Sequence, residues 1–320
     1  MKFSLRLFAL LIGMLSVGLV GAQDYPSKPV WIITGYGPGG IGYAVPRLFA
    51  EEFSNVIKQR VLVDDRPGAG NLIGARAGAN AAPDGYTLFI GNLATHPALR
   101  AEAIDVLSQM QPVGLVMDVP LVFGTTNAAP LRDARELVAF AKKNPGKLNF
   151  ASSGGSSYLS LMMALLAERL GGFDYVNVPY KDAGQIQVGL ASGEVHIALT
   201  STQSMAASMK AGKTTAMLYA GTPRSPLLPG TPTPEDAGIR DFSVETLFGL
   251  FVPLKVPKEL VNKLSAAMLQ AARNPAYQQR AITALGVHPP VLTPEQTVQR
   301  FERQLRYIKE AARLSNFVPD

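Results

Sequence analysis

Short β-rich runs alternate with helical patterns along most of the chain, and this rhythm restricts the fold more than any other feature. Val30 to Thr34, Val61 to Asp64, Thr87 to Gly91, Val113 to Met117 and Leu121 to Thr125 read as strands, followed by "LNFAS", "DYVNV", "HIALT" and "TTAMLYA". Between the first two, Val45, Leu48, Phe49, Phe53 and Val56 recur at helical spacing. Pro46 suits only an early turn, so that helix is expected to begin close to Gly40. "RELVAFAKKN" reads as another helix, stopped by Pro145 and Gly146. Alternation of this kind implies an α/β fold with mostly parallel sheets flanked by helices. The Gly/Pro-rich stretch Gly221 to Gly238 reads as a long surface connection, and "TLFGLFVPLKVPKE" after it as one more strand before a helical tail. In that tail Thr293, Pro294 and Gln296 spell a capped helix start, and 297–314 carries a single apolar face that reads as scaffold.

The N-terminus restricts where such a fold would work. Lys2 and Arg6 precede the uncharged run Leu7 to Val20, and small residues follow at Gly21 and Ala22. The run is too short to cross a bilayer and fits a signal peptide cleaved after Ala22, with an anchor helix as the other reading. Export to the periplasm is therefore expected, leaving 320 − 22 = 298 residues, enough for one large or two ordinary α/β domains. The chain has no cysteine, which excludes disulfides, thiolate nucleophiles, Cys metal sites and a lipidated N-terminal cysteine. Its charge is 30 − 24 = +6, and two of the basic residues belong to the signal, so the mature chain carries +4. That is too mild, and too scattered, for nucleic-acid binding.

One motif points toward a cofactor. Gly35, Gly37 and Gly40 spell G-x-G-x-x-G after the first strand, and Asp64 and Asp65 lie about where a dinucleotide fold keeps its ribose-binding acid. An exported NAD-dependent oxidoreductase is thus one reading. Against it, a nicotinamide cofactor would have to be found or retained outside the cytoplasm. Catalytic signals are otherwise missing: there is no G-x-S-x-G or H-E-x-x-H, and His96, His196 and His288 lack metal-ligand spacing. No catalysis, no cofactor and no metal are expected.

Several stretches together have a more specific meaning. "YPSKPV", "PGG", "RPGAGNLIGA", "APDGYTL", "THPAL", "NPGKLNFASSG", "VPYK", "KAGK", "RSPLLPGTPT" and "FGLFVP" occur in this order over the mature length. In them the chain resembles the Bug-type periplasmic solute-binding receptors of the tripartite tricarboxylate transporters. The resemblance implies a two-lobed Venus-flytrap fold of the periplasmic binding protein type (type II-like), with ligand in the cleft between the lobes. Lobe 1 would comprise 23–123 plus 249–320 and lobe 2 124–248, with crossings near Val122 to Thr126 and Leu247 to Phe251. The implied function is capture of a small carboxylate, either a di- or tricarboxylate or an aromatic or less polar organic acid, for integral-membrane permease subunits. A carboxylate sensor feeding a signalling kinase is the remaining alternative.

The resemblance also assigns a site. The ligand carboxylate would be held by two loops, one of Tyr36, Gly37, Pro38, Gly39 and Gly40, the other of Ser152, Ser153, Gly154, Gly155, Ser156 and Ser157. Their chemistry suits this use, because a helix N-terminus presents free N–H groups and partial positive charge to an anion. Thr95, Lys181 and Asp182 are further candidates near the cleft. Three positions depart from the family pattern: Tyr43 and Thr200 stand where aspartate is usual, and Ser160 where histidine is usual. Loss of the aspartates argues against an amino-acid ligand, and Tyr36, Tyr43 and Tyr158 suggest a wall for an aromatic or weakly polar acid.

Overall fold

The computed structural model describes residues 25–38, 41–99, 104–129, 131–153, 157–221 and 223–315, so the expected signal peptide lies outside it. The strands are β1 Val30–Thr34, β2 Val61–Asp65, β3 Thr87–Gly91, β4 Met110–Thr126, β5 Asn149–Ser152, β6 Val176–Pro179, β7 Ile197–Ser201, β8 Thr214–Tyr219 and β9 Glu245–Pro253. The helices are α1 Ile41–Ile57, α2 Leu72–Ala79, α3 Val106–Gln109, α4 Ala134–Lys143, α5 Tyr158–Arg169, α6 Ala183–Ser192, α7 Thr202–Lys210, α8 Lys258–Arg273, α9 Pro275–Leu285 and α10 Pro294–Leu314. α1 begins next to Gly40 as its pattern implies, although Pro46 sits in its second turn.

The strands form a mixed sheet in the order β2-β1-β3-β9-β4-β7-β5-β6, with β8 also on β4. Parallel pairing holds in both flanks, β2-β1-β3 and β7-β5-β6. Every pair made by β4 or β9 is antiparallel, so the sheet is less uniformly parallel than the alternation implies. The physical reason is the length of β4. The runs 113–117 and 121–125 are one continuous strand, which pairs β9 from Met110 to Pro120 and β7 from Leu121 to Thr125. Pro120, with no N–H to contribute to a ladder, falls where the partners change. Nearby, the Leu121 N–H donates to the Val244 carbonyl at 2.8 Å and the Val244 N–H to the Ala220 carbonyl at 2.9 Å. The chain thus passes from one half of the sheet to the other at Pro120–Leu121, and returns just before β9.

α10 ties the two halves together. Its Phe301 is fully buried against Phe251 of β9, at a centroid distance of 5.7 Å, and Arg169 of α5 pairs with its Glu310 at 2.8 Å. The expected helix start is present: Thr293 Oγ1 accepts from the Gln296 N–H, and Gln296 Oε1 accepts from the Thr293 N–H. Thr293→Ala removes one half of this box and is expected to cost about 1 kcal/mol. Urea denaturation would register it as a lowered midpoint with an unchanged slope. Among the described residues, no helix is long and apolar enough to cross a membrane.

Candidate functional site

The end of β1 is positioned by two close backbone approaches. A Cβ on Gly35 would lie 2.6 to 2.8 Å from Asn71 atoms, and one on Gly74 would lie 2.6 Å from the Thr34 carbonyl oxygen. Asn71 itself adopts a left-handed conformation (φ 76°) at the start of α2. The start of α2 is therefore pressed onto the end of β1, and Gly35 is required by packing against Asn71. The acids of the dinucleotide spelling are also engaged: Asp65 pairs with Arg47, and Asp64 pairs with Arg66 at 2.8 Å.

Beyond Gly35, the Tyr36 N–H donates to Thr34 Oγ1 at 3.0 Å. The Tyr36 ring lies over Gly42, where a Cβ would come within 2.4 Å of it, and stands edge-on to Phe248 at 5.7 Å. This ring forms one wall of a cavity of ≈ 220 Å³. Tyr158, at the start of α5, forms another. Asn71, Asn92, Thr246, Glu245 and Gln304 supply polar lining, and Leu93, Leu99, Leu247 and Ile308 supply apolar lining. Among the described residues that line it there is no lysine or arginine. Burial pushes the hydroxyls of Tyr36 and Tyr158 well above the usual phenol range, so both remain neutral.

A buried hydrogen-bonded cluster supports this cavity. The Tyr158 hydroxyl donates to the Glu245 carbonyl at 3.0 Å, and Gln304 Nε2 donates to the same carbonyl and to the Tyr158 oxygen at 3.3 Å. The Glu245 carboxylate accepts from Ser243 at 2.6 Å and from Arg300 at 2.8 Å, and Arg300 also reaches Asp118 at 2.7 Å. Two carboxyls thus share one guanidinium. Burial, reinforced by the charge of Asp118 and opposed by Arg300, raises Glu245 from 4.5 to about 7. Burial likewise raises Asp118, against the pull of Arg300. Near neutrality the pair can therefore retain a proton.

The structure brings together only part of the expected set. Tyr36 and Tyr158 line the cavity, and Gly37 and the exposed Pro38 follow Tyr36. Gly39, Gly40, Gly154, Gly155 and Ser156 lie outside the described residues. Ser152 is buried at the end of β5, its carbonyl accepting from the Tyr180 N–H at 2.8 Å, while Ser153 is exposed. Ser157 caps α5. Thr95 is buried one residue beyond Leu93 and Ala94 of the cavity wall. Tyr43 is not part of that wall: its ring lies 3.4 Å from the guanidinium of Arg47, itself bound to Asp65. Lys181 and Asp182 are exposed and outside the lining; Asp182 caps α6 by accepting from the Gln185 N–H at 2.9 Å. Thr200, also outside it, donates to the Ser201 carbonyl at 3.3 Å.

Of the lining residues only Tyr36 and Tyr158 were site candidates from sequence; the polar ones that sequence reasoning missed are Asn71, Asn92, Glu245, Thr246 and Gln304. Asn71 belongs to "RPGAGNLIGA", a stretch quoted for its resemblance, and Asn92 lies just before "THPAL". Gln304 had a readable signal as a glutamine on the face that buries Phe301, Tyr307, Ile308 and Ala311. The 297–314 helix buries a single face as read, and in addition Gln304 and Ile308 help to form the cavity. His96 Nδ1 accepts from the Ala98 N–H at 2.9 Å and His196 Nδ1 from the Asn149 N–H at 3.1 Å. Among the described residues no acid or histidine cluster is arranged to hold a metal ion.

Comparison with known proteins gives one family. A family model described as "Tripartite tricarboxylate transporter family receptor" matches residues 45–312. The "UPF0065 protein in the TAR-I ttuE-ttuC' intergenic region" of Agrobacterium vitis is 32% identical over 304 residues, covering 91% of this chain and 87% of its own. Among solved structures, the periplasmic binding protein BugD is 27% identical with a TM-score of 0.75, covering 92% of this chain and 100% of its own. MatC from Rhodopseudomonas palustris, with bound malate, is 28% identical with a TM-score of 0.71 over 91% of this chain and 100% of its own.

Proposed function

Because the chain belongs to the tripartite tricarboxylate transporter receptor family, a family of periplasmic solute-binding proteins, we propose that its cavity captures a small carboxylate with an aromatic or otherwise weakly polar body. The observation that carries this reading is the meeting of helix starts on one cavity. Asn71 precedes α2, Tyr158 opens α5, and Tyr36 lies in the loop entering α1. Helix N-termini offer N–H donors and partial positive charge, so an anion can be held there without a cationic side chain. The 36–40 and 152–157 loops would supply those donors, and the leucines and Ile308 would enclose the body of the acid. The malate bound to MatC supports a carboxylate ligand.

The mature protein would begin after Ala22, act in the periplasm and pass its ligand to integral-membrane permease subunits. We set its lobes at about 23–120 plus 245–320 and 121–244, a few residues before the boundaries of 123 and 248 read from sequence. Closure would swing one lobe on the other about Pro120–Leu121 and the segment before β9, driven by ligand contacts that improve on closing.

A thermal-shift panel tests the reading on the mature protein after unfolding and refolding to strip bound solutes. It should include aliphatic mono-, di- and tricarboxylates, aromatic acids, amino acids and NAD. An aromatic or aliphatic carboxylate at a hundred times its Kd is expected to add about 2.7 kcal/mol of stability. A response confined to NAD would favour the oxidoreductase, and one confined to amino acids would reject the ligand class.

A further inference from the structure

We infer that the ligand carries a neutral hydrogen-bond donor, such as a hydroxyl, in addition to its carboxylate, and that Gln304 selects for it. This rests on the proposed carboxylate site. Gln304 lines the cavity and is only 5% exposed. The orientation of its amide is fixed by its partners. The Glu245 carbonyl can only accept, so the atom facing it must be Nε2, which also donates to the Tyr158 oxygen at 3.3 Å. The acceptor Oε1 is then left over, and it is buried with no hydrogen bond among the described residues.

A second polar atom of the same wall is in a similar position. The Tyr36 hydroxyl is buried near the Asn92 side chain and makes no hydrogen bond of ordinary geometry among the described residues. Two buried polar atoms without a partner on one cavity wall are costly, because each loses its water without replacement. A ligand O–H reaching Gln304 Oε1 would restore the lost hydrogen bond. An ammonium group is a poorer fit, because the Glu245 carboxylate is already taken by Arg300 and Ser243. Discrimination of this kind favours a ligand that satisfies the site over an analogue that leaves the acceptor unpaired.

Matched acids measured by calorimetry on the full mature protein provide the test. The pairs are benzoate and its para-hydroxy derivative, phenylpropanoate and its para-hydroxy derivative, and hexanoate and its ω-hydroxy derivative. In at least one pair the hydroxylated acid is expected to bind about tenfold or more tightly. In Gln304→Met, which removes the acceptor while the Glu245 carbonyl keeps the Tyr158 hydroxyl, that ratio is expected to fall to about one. A purely structural role for Gln304 would weaken both acids alike and preserve the ratio, and that result overturns the inference. So does tighter or equal binding of the unsubstituted acid in every pair that binds, a result read on the unaltered protein even if the variant does not fold. Binding of acids without a hydroxyl preference leaves the carboxylate reading intact, whereas binding by no acid of any class overturns both.

Discussion

Replacing Arg300 by methionine is expected to destabilise the protein by about 3–5 kcal/mol, because it leaves the buried carboxyls of Asp118 and Glu245 facing each other without their shared cation. The stem of the side chain is roughly conserved, so the loss would be electrostatic more than a cavity effect. The sign of the pH dependence follows from the raised carboxyls. Glu245 has a folded value of about 7 against an ordinary 4.5. Its contribution to stability is therefore fully present below about 4.5 and is lost as the pH rises through about 7. Without Arg300 both carboxyls would rise further, so the deficit of the variant should be smaller at acid pH than at alkaline pH. Urea unfolding at several pH values would measure it, and a deficit independent of pH would contradict the account.

The cluster links stability to the site. Glu245 opens β9, and its carbonyl receives both Tyr158 and Gln304 of the cavity wall. Ligand affinity in Arg300→Met should accordingly fall with stability, even though Arg300 does not line the cavity.

Gly74→Val is expected to be nearly as damaging, at about 3 kcal/mol, and to weaken ligand binding as well. The Cβ at this position would meet the Thr34 carbonyl oxygen at 2.6 Å and Gly35 atoms at 2.7 and 2.8 Å, all of them backbone. Backbone cannot rotate aside as a flexible side chain can, so either α2 lifts or the end of β1 shifts. Both movements displace Asn71 and Tyr36, two walls of the cavity. Thermal melts with and without a bound acid separate the effects: the apo melting temperature reports the packing cost, and a lost ligand shift reports the displaced wall. A variant that melts and binds like the unaltered protein would show that the contact is easily relieved.

The sequence was most readable where its pattern was local. β1 and β3 have the boundaries read from their apolar runs, and the capping box at Thr293 is closed on both sides. Side-chain period and cap chemistry depend on neighbours along the chain, so these elements need no tertiary information. The joining of 113–117 and 121–125 into one strand could not be read this way, because Asp118 and Pro120 interrupt the run. Asp118 is instead bound to Arg300 from α10, and Pro120 lies where β4 changes partner.

The same division runs through the site. By itself, the sequence determined the α/β alternation, the strand-to-helix turn at Tyr36 and a second one leading to Tyr158, since glycines, serines and helix starts are local features. Tertiary structure decided what those turns surround. It set Gly35 against Asn71, drew Tyr43 away to Arg47, and brought Gln304 from the last helix to a carbonyl 59 residues distant. A cavity is made by residues far apart in the chain, and their meeting depends on packing that no local pattern encodes.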